Sequence, residues 1–159
     1  MLPEFVGRPI RVELRGSLGP HLAATSIPRR LILLDSEVLT TRGDFERILV
    51  HELFHFVWVR LSNAVRRDWE SVLASEFRRG ARGELGWSAE WRKVKIKLED
   101  RRGRSAGWRR YACESFCDSA AWRFAGLRGH PEFTLAAGFR RARRAWFSRN
   151  FPGAFAVPI

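Results

Sequence analysis

Hydrophobic and polar residues alternate in the first part of the chain with the period that is typical of β-strands. Residues 10–14, IRVEL, follow this alternation and predict a strand. Residues 30–35, RLILLD, predict a second strand, which flanking proline and polar residues delimit. Gly19 and Pro20 indicate a turn between the two. The chain is therefore expected to begin with a small sheet.

The apolar spacing changes after the second strand to that of an α-helix. Thr41 precedes Asp44 by three residues, which is the spacing of a capping box and predicts a helix start. No glycine or proline occurs between Asp44 and Gly80. A helix is predicted over residues 42–61, and a change of composition at residues 62–63 predicts a break after it.

The rest of the chain combines helical periodicity with glycine-rich interruptions. Further helices are predicted over residues 64–79, over residues 88–95 with Ser88 as the cap, over residues 111–124 and over residues 131–148. Loops are predicted at residues 80–86 and at the charged residues 99–110, which we expect to be mobile. The apolar tail, residues 150–159, is expected to pack back on the body.

This order of elements predicts an α+β protein, with a small N-terminal mixed sheet followed by a helical C-terminal half. A length of 159 residues fits one domain, residues 1–159. Residues 1–62 would form the sheet and the first long helix, and residues 63–110 a helical insertion with a basic loop. Residues 111–159 would add two further helices.

The sequence also carries expectations about cellular location. The N-terminus has no apolar signal-peptide core, and no window approaches the roughly 18 apolar residues of a membrane span. The two cysteines, Cys113 and Cys117, lie four residues apart, which argues against a disulfide framework. A cytoplasmic protein is expected.

Charge is the most unusual feature of the composition. The net charge is +12, and arginine supplies all but three of the 29 basic residues. Such a charge favours attraction to nucleic acid or another polyanion, although a GC-rich genome also raises arginine content and no nucleic-acid-binding motif is present. The basic run RRARR at residues 140–144 is interpreted as a solvated helix face, and the seven tryptophans as core residues.

Three polar residues interrupt the apolar sequence of the first long helix, in HELFH at residues 51–55. Each helical residue turns by about 100°, so His51 and His55 lie one turn apart on the same side. Two imidazoles at this spacing converge on one metal ion, and Glu52 between them reaches a water molecule instead of the metal. The alternative is a pair of core histidines, but that role does not require a buried carboxylate between them.

A metal site of this kind needs a third ligand, for which the sequence offers few candidates. The remaining histidines are His21 and His130. Downstream, Glu114 lies on a predicted helix among small and aromatic residues, where a carboxylate needs a partner that a metal ion would supply. Cys117, three residues after Glu114, is an alternative ligand.

Asp118 lies one helical turn after Glu114. We expect it to accept the outer N–H of a ligating histidine, His51, and so to fix the tautomer of that ring. The other interpretation is a solvent-facing pair of acids. Like charges one turn apart repel unless a cation lies between them, and the neighbouring residues are apolar, which disfavours this interpretation.

HELFH followed by Glu-x-x-x-Asp on a later helix resembles the gluzincin clan of zinc metallopeptidases, the thermolysin-like group. The resemblance implies a zincin-like fold and a bound Zn²⁺. It implies that residues 30–35 are an edge strand that pairs with extended substrate. The implied roles are zinc ligands for His51, His55 and Glu114, general base for Glu52, and a supporting hydrogen bond for Asp118.

A peptidase of this clan would hydrolyse peptide bonds with a zinc-activated water molecule. Glu52 would take the proton of that water and pass it to the leaving amine. A second donor normally helps to hold the oxyanion. Tyr111, one turn before Glu114, and His130 are the candidates for this donor.

Three functions remain open from the sequence. The first is a zinc-dependent peptidase that acts on a peptide or protein substrate. The second is a basic metalloprotease for nucleic-acid-bound proteins, as Spartan-like proteins are, although in that family the third ligand is a histidine. The third is a non-catalytic, zinc-stabilised binding module whose arginine-rich segments contact a polyanion.

Overall fold

Two small β-sheets and six α-helices make up the part of the chain that the computed structural model describes, residues 2–152 and 156–159. This architecture confirms the predicted α+β class. The strands are β1 (Glu4–Val6), β2 (Arg11–Arg15), β3 (Ala23–Ser26), β4 (Leu31–Asp35) and β5 (Ala156–Pro158). The helices are α1 (Asp44–Arg60), α2 (Asn63–Arg78), α3 (Trp87–Lys93), α4 (Leu98–Gly103), α5 (Ala106–Phe124) and α6 (Ala137–Asn150).

Strand β4 lies at the centre of the three-stranded sheet, parallel to β2 and antiparallel to β3. Its residues Leu31, Ile32 and Leu34 are buried, as expected of a central strand with both faces covered. The edge position that the family resemblance implies for residues 30–35 is therefore wrong, and β3 forms that edge instead. The short sequence AATS of β3 carries little β-strand signal, so this strand was not predicted.

The first long helix begins slightly later than its sequence pattern predicts. Helix α1 starts at Asp44, and Gly43 precedes it as the capping residue with a φ of 90°, a conformation that favours glycine. No side chain caps the helix, so the predicted capping box at Thr41 is wrong. The predicted break after α1 is confirmed, because Ser62 accepts a hydrogen bond from the backbone N of Val65 and caps α2.

The charged segment at residues 99–110 is mostly helical, contrary to the loop that its composition predicts. It contains most of α4 and the first turn of α5, which therefore begins before residue 111. Ser105 caps α5 with its side chain. Arg104 donates to both carboxylate oxygens of Glu70, at 2.7 and 2.8 Å. A partner distant in the sequence thus helps to order this segment.

Two other predicted helix starts are wrong. Ser88 lies inside α3, which Gly86 precedes as the capping residue. Residues 131–136 stay outside α6. The backbone N–H groups of Thr134 and Leu135 both donate to the carbonyl of Glu84 instead, each at 2.9 Å. These bonds tie the segment to the predicted loop between α2 and α3, and so prevent it from continuing the helix.

Aromatic side chains fill the core between α1, α5 and α6. Phe54, Phe116 and Phe147 meet there, and the rings of the last two are stacked at 5.3 Å. Val157 of β5 is fully buried in the same cluster, so the tail packs on the body as predicted. Residues 153–155 of the predicted tail lie outside the described residues.

The basic run at residues 140–144 is only partly a solvated face. Arg143 is fully buried and donates to the carboxylates of Glu76 and Glu84 at distances between 2.6 and 3.0 Å. A buried guanidinium requires such partners. The tryptophans are divided as well: Trp87 is 64% exposed, whereas the buried ones are Trp58, Trp69, Trp108 and Trp146.

No helix within residues 2–152 and 156–159 combines the length and the apolar character that crossing a bilayer requires. The longest helix, α5, has 19 residues, and several of them are charged.

Candidate metal centre

Helices α1 and α5 pack side by side and bring the two halves of the sequence motif together. His51, Glu52 and His55 come from α1, and Glu114 and Asp118 come from α5. Ile48 and Phe56, one turn before and one turn after Glu52, pack on the three-stranded sheet. His51 and His55 lie next to this row on the side of α1 towards α5, where they meet Glu114 and Asp118.

Three potential ligand atoms converge between the two helices. Nε2 of His55 lies 3.2 Å from Nε2 of His51. Oε2 of Glu114 lies 3.3 Å from Nε2 of His51 and 3.9 Å from Nε2 of His55. Tetrahedral zinc with bonds of about 2.0–2.1 Å separates its ligand atoms by roughly 3.3 Å. The three side chains therefore fit a shared metal ion with little rearrangement.

Asp118 contacts the other ring nitrogen of His51. Its Oδ1 lies 2.7 Å from Nδ1 of His51, so the predicted contact is present. Its Oδ2 accepts a hydrogen bond from the backbone N of Ala89 in α3, at 2.9 Å. An ionised carboxylate only accepts hydrogen bonds, so Nδ1 carries the proton and Nε2 of a neutral ring offers its lone pair to a metal.

Two thiols lie beside the second histidine. Cys113 and Cys117 are both free, and each Sγ lies 3.6 Å from Nδ1 of His55. His51, His55 and Cys117 form a group able to hold a metal ion, with ligand atoms within 4.8 Å of one another. The thiols approach Nδ1 of His55, whereas Glu114 approaches Nε2. The centre thus offers two overlapping ligand sets that differ in their third member.

Proton affinities in the centre reflect its buried charges. Burial acts to lower the pKa of His51, but the carboxylates of Asp118 and Glu114 outweigh it and hold that pKa well above its ordinary value. Burial raises the pKa of Glu114, and the two histidines reverse this and lower it. The hydrogen bond with Cys117 is the main cause that lowers the pKa of Cys113 to about 6, with His55 adding to it and burial opposing it.

Glu52 lies beside the two histidines in the cleft. The residue is 8% exposed and lines both parts of the cleft. Within residues 2–152 and 156–159 its carboxylate forms no hydrogen bond or ion pair, whereas those of Glu114 and Asp118 are both engaged. The carboxylate of Glu52 is therefore free to accept a proton from a molecule bound there.

An open cleft of about 420 Å³ runs over the centre. One wall is the edge strand β3, represented by Ala23, Ala24 and Thr25, and the candidate ligands His51, His55 and Glu114 line the same space. The opposite wall is the outer side of α3, with residues Trp87, Ser88, Trp91 and Arg92. A neighbouring hollow of about 310 Å³ continues the cleft past Glu132 and Arg47.

The two residues expected to hold the oxyanion lie elsewhere. Tyr111 is fully buried, and its hydroxyl donates to Glu84 at 2.5 Å, so its assignment to catalysis is wrong. Nε2 of His130 lies 3.0 Å from Asp44, and its Nδ1 accepts a hydrogen bond from the backbone N of Glu132. Both ring nitrogens of His130 are thus engaged, and neither residue lines the cleft.

Several cleft residues were not identified from the sequence. His21 lines both parts of the cleft, although sequence reasoning treated it only as a candidate ligand. Strand β3 and helix α3 were not recognised as walls. One available signal was the spacing of Trp87 and Trp91, two aromatic residues that lie one turn apart on a short helix.

Comparison of the chain with protein-family models, with curated proteins and with solved structures finds no match. The resemblance to gluzincins therefore rests on the motif residues of the sequence.

Proposed function

We propose that this protein is a zinc-dependent metallopeptidase with a zincin-like arrangement of sheet and active-site helix. The observation that carries the proposal is the convergence of Nε2 of His51, Nε2 of His55 and Oε2 of Glu114 beside a carboxylate without a partner, that of Glu52. These four groups share one open cleft. Two histidines, a glutamate and an open position are a typical set for catalytic zinc.

We assign Glu114 as the third ligand in preference to Cys117. Glu114 lines the cleft together with both histidines and Glu52, whereas Cys117 is fully buried and does not line it. A metal held through Cys117 would lie on the Nδ1 side of His55, beside a fully buried thiol and away from the cleft. Only the set with Glu114 gives the metal contact with both substrate and base.

Each residue of the centre has a distinct part in the proposed reaction. A zinc ion held by His51, His55 and Glu114 would supply a Lewis acid that acidifies water and polarises the substrate carbonyl. Glu52 accepts the proton of the attacking water and later delivers it to the leaving amine. Asp118 orients His51 through its hydrogen bond to Nδ1.

Substrate binding is assigned to strand β3, which takes the role that the family resemblance implies for residues 30–35. Strand β3 pairs with β4 on one side only, so its other edge offers backbone N–H and C=O groups to an extended peptide. Its residues line the cleft above the histidines. Hydrogen bonds along this edge would hold a peptide carbonyl over the metal centre.

Hydrolysis by the Glu52→Gln variant tests the proposal. We expect the zinc-loaded wild type to cleave a denatured protein such as casein, and Glu52→Gln to retain its zinc and lose at least 99% of the activity, since general-base catalysis contributes roughly a hundredfold or more. Undiminished cleavage by the variant would refute Glu52 as the base. Bound zinc without cleavage by the wild type would favour a binding module, and cleavage only with DNA would favour a nucleic-acid-associated protease.

A further inference from the structure

The cleft contains one strongly basic side chain beside the metal centre. Of the described residues that line its larger part, Arg92 is the single arginine or lysine. The second basic residue, Arg47, lies in the neighbouring hollow and is engaged by Asp44 and Glu132, at 3.3 and 2.9 Å. Among the described residues that line the space between β3 and α3, Arg92 is therefore the one arginine or lysine that a substrate would meet.

The guanidinium of Arg92 is held in place but is not saturated. Its Nη1 donates to the carbonyl of Ser88 at 2.5 Å, and its Cζ lies 4.4 Å from the ring centre of Trp91. Its Nη2 lies 3.4 Å from Oε1 of Glu114, beyond the distance of a good hydrogen bond. A guanidinium has five N–H donors, and this one makes a single hydrogen bond to the described residues. Its side chain is 25% exposed to the cleft.

The carboxylates around the cleft determine which anion Arg92 suits. Glu52 and Glu114 line the same space, and Asp118 contacts His51. A zinc ion would offset the charges of two of these three carboxylates, and Arg92 is the one arginine among the described residues that line this space. Two nearby carboxylates would repel a dianion such as a phosphate more strongly than a monoanion. A planar carboxylate, with one negative charge, matches the guanidinium fork.

We propose that Arg92 is a specificity residue that binds a carboxylate of the peptide substrate next to the metal centre. This inference rests on the proposed peptidase function. The carboxylate is either the C-terminal group of the peptide or the side chain of an aspartate or glutamate near the scissile bond. Trp91 stacks beneath the guanidinium and fixes its plane, and the exposed indole of Trp87 extends the same wall for the rest of the peptide.

Four peptides of equal length test the inference and identify the source of the carboxylate. One pair differs in a C-terminal carboxylate or amide, and the other in an internal glutamate or glutamine. We expect the wild type to favour the charged member of one pair by about tenfold in kcat/KM, mainly through KM. In Arg92→Gln this preference should fall to about one. Arg141→Ala, which removes an exposed arginine outside the cleft, should keep it.

Zinc content is measured for every variant, because Arg92 lies close to Glu114. A preference that persists in zinc-loaded Arg92→Gln would overturn the inference. An equal loss of kcat for all four peptides would also overturn it, since it would indicate a role in the chemical step.

A binding measurement separates this inference from the proposed function. Tryptophan fluorescence of zinc-loaded Glu52→Gln, titrated with the same four peptides, reports their dissociation constants without turnover. If the charged peptide binds about tenfold more tightly and Arg92→Gln removes the difference, the carboxylate site stands even where hydrolysis does not depend on Glu52. If all four peptides bind equally, the inference fails while the peptidase proposal is unaffected.

Discussion

Oδ1 of Asp118 lies 2.7 Å from Nδ1 of His51, and the two oxygens of this carboxylate together join three helices. His51 belongs to α1 and Asp118 to α5, and the second oxygen of Asp118 accepts a hydrogen bond from the backbone N of Ala89 in α3. Asp118 is 2% exposed, and a carboxylate so deeply buried needs these hydrogen-bonding partners. A single carboxylate thus connects the candidate ligand His51 to the helix that forms one wall of the cleft.

Replacement of Asp118 by asparagine should weaken metal binding without removing any ligand. The amide can donate to Nδ1 of His51 and favour the wrong tautomer, so we expect the affinity for zinc to fall by about 10- to 100-fold. Competition with a chromophoric chelator measures this change. Asp68→Asn, at an acid on α2 far from the centre, serves as the control, and an unchanged zinc affinity in Asp118→Asn would contradict the orienting role of Asp118.

The third ligand can be identified by comparing two variants. Glu114→Ala should lose most of its zinc, because the remaining two histidines hold the metal weakly, whereas Cys117→Ala should keep full occupancy. Metal analysis of both proteins after dialysis provides the measurement. The opposite result, full occupancy in Glu114→Ala and loss in Cys117→Ala, would show that the metal is held by the set with Cys117.

Gly86 should tolerate no side chain, since a Cβ at this position would overlap the carboxylate of Asp118. The backbone of Gly86 is extended, with a φ of 178°, so the conflict is one of space and not of conformation. We expect Gly86→Ala to displace Asp118 from His51 and to lower zinc affinity at least tenfold. Gly103→Ala, where a Cβ would meet nothing within 4 Å, is the matched control and should bind zinc normally.

Acid should destabilise the protein through Glu84. Burial raises the pKa of this carboxyl, but Arg143 outweighs burial and lowers it from 4.5 to about 2. Because the pKa is lower in the folded state, the stabilisation is complete above about pH 4.5 and is lost as the pH falls towards 2. The loss amounts to roughly 3 kcal/mol of unfolding free energy.

Urea unfolding followed by circular dichroism between pH 2.5 and pH 7 would test this prediction. Glu84→Gln should be less stable than the wild type at pH 7 by about 3–5 kcal/mol, because Arg143 loses a charged partner. Its stability should also change less between pH 4.5 and pH 2.5. Equal slopes in the wild type and Glu84→Gln would refute the role of Glu84, and the exposed Glu99→Gln should behave as the wild type.

Much of the centre could be predicted from the sequence because its geometry is local. His51, Glu52 and His55 lie on one helix, and so do Glu114 and Asp118, so helical periodicity alone determines which side chains lie together within each pair or triplet. A buried carboxylate also needs a partner, and this requirement indicated that the two helices meet. These two arguments placed five residues of the candidate site correctly beside one another.

The residues that surround the centre depended on contacts between distant parts of the chain. The side chain of Tyr111 points from α5 towards Glu84 and donates a hydrogen bond to it. Glu84 belongs to a loop, and the sequence does not reveal where that loop lies, so the position of Tyr111 could not be predicted. Arg143 appeared to belong to a solvated run, yet two carboxylates from other segments allow it to be buried.

The sequence by itself thus determined the presence of α1, α2, α3, α5 and α6, of the strands β2 and β4, and the spacing of the chemical groups, since these follow from short-range periodicity. Only the tertiary structure decided the strand order that makes β3 the edge, the position of α3 and the side of the cleft on which Arg92 lies. Such features arise from packing between segments far apart in the chain, where burial and pairing of charges outweigh local preference.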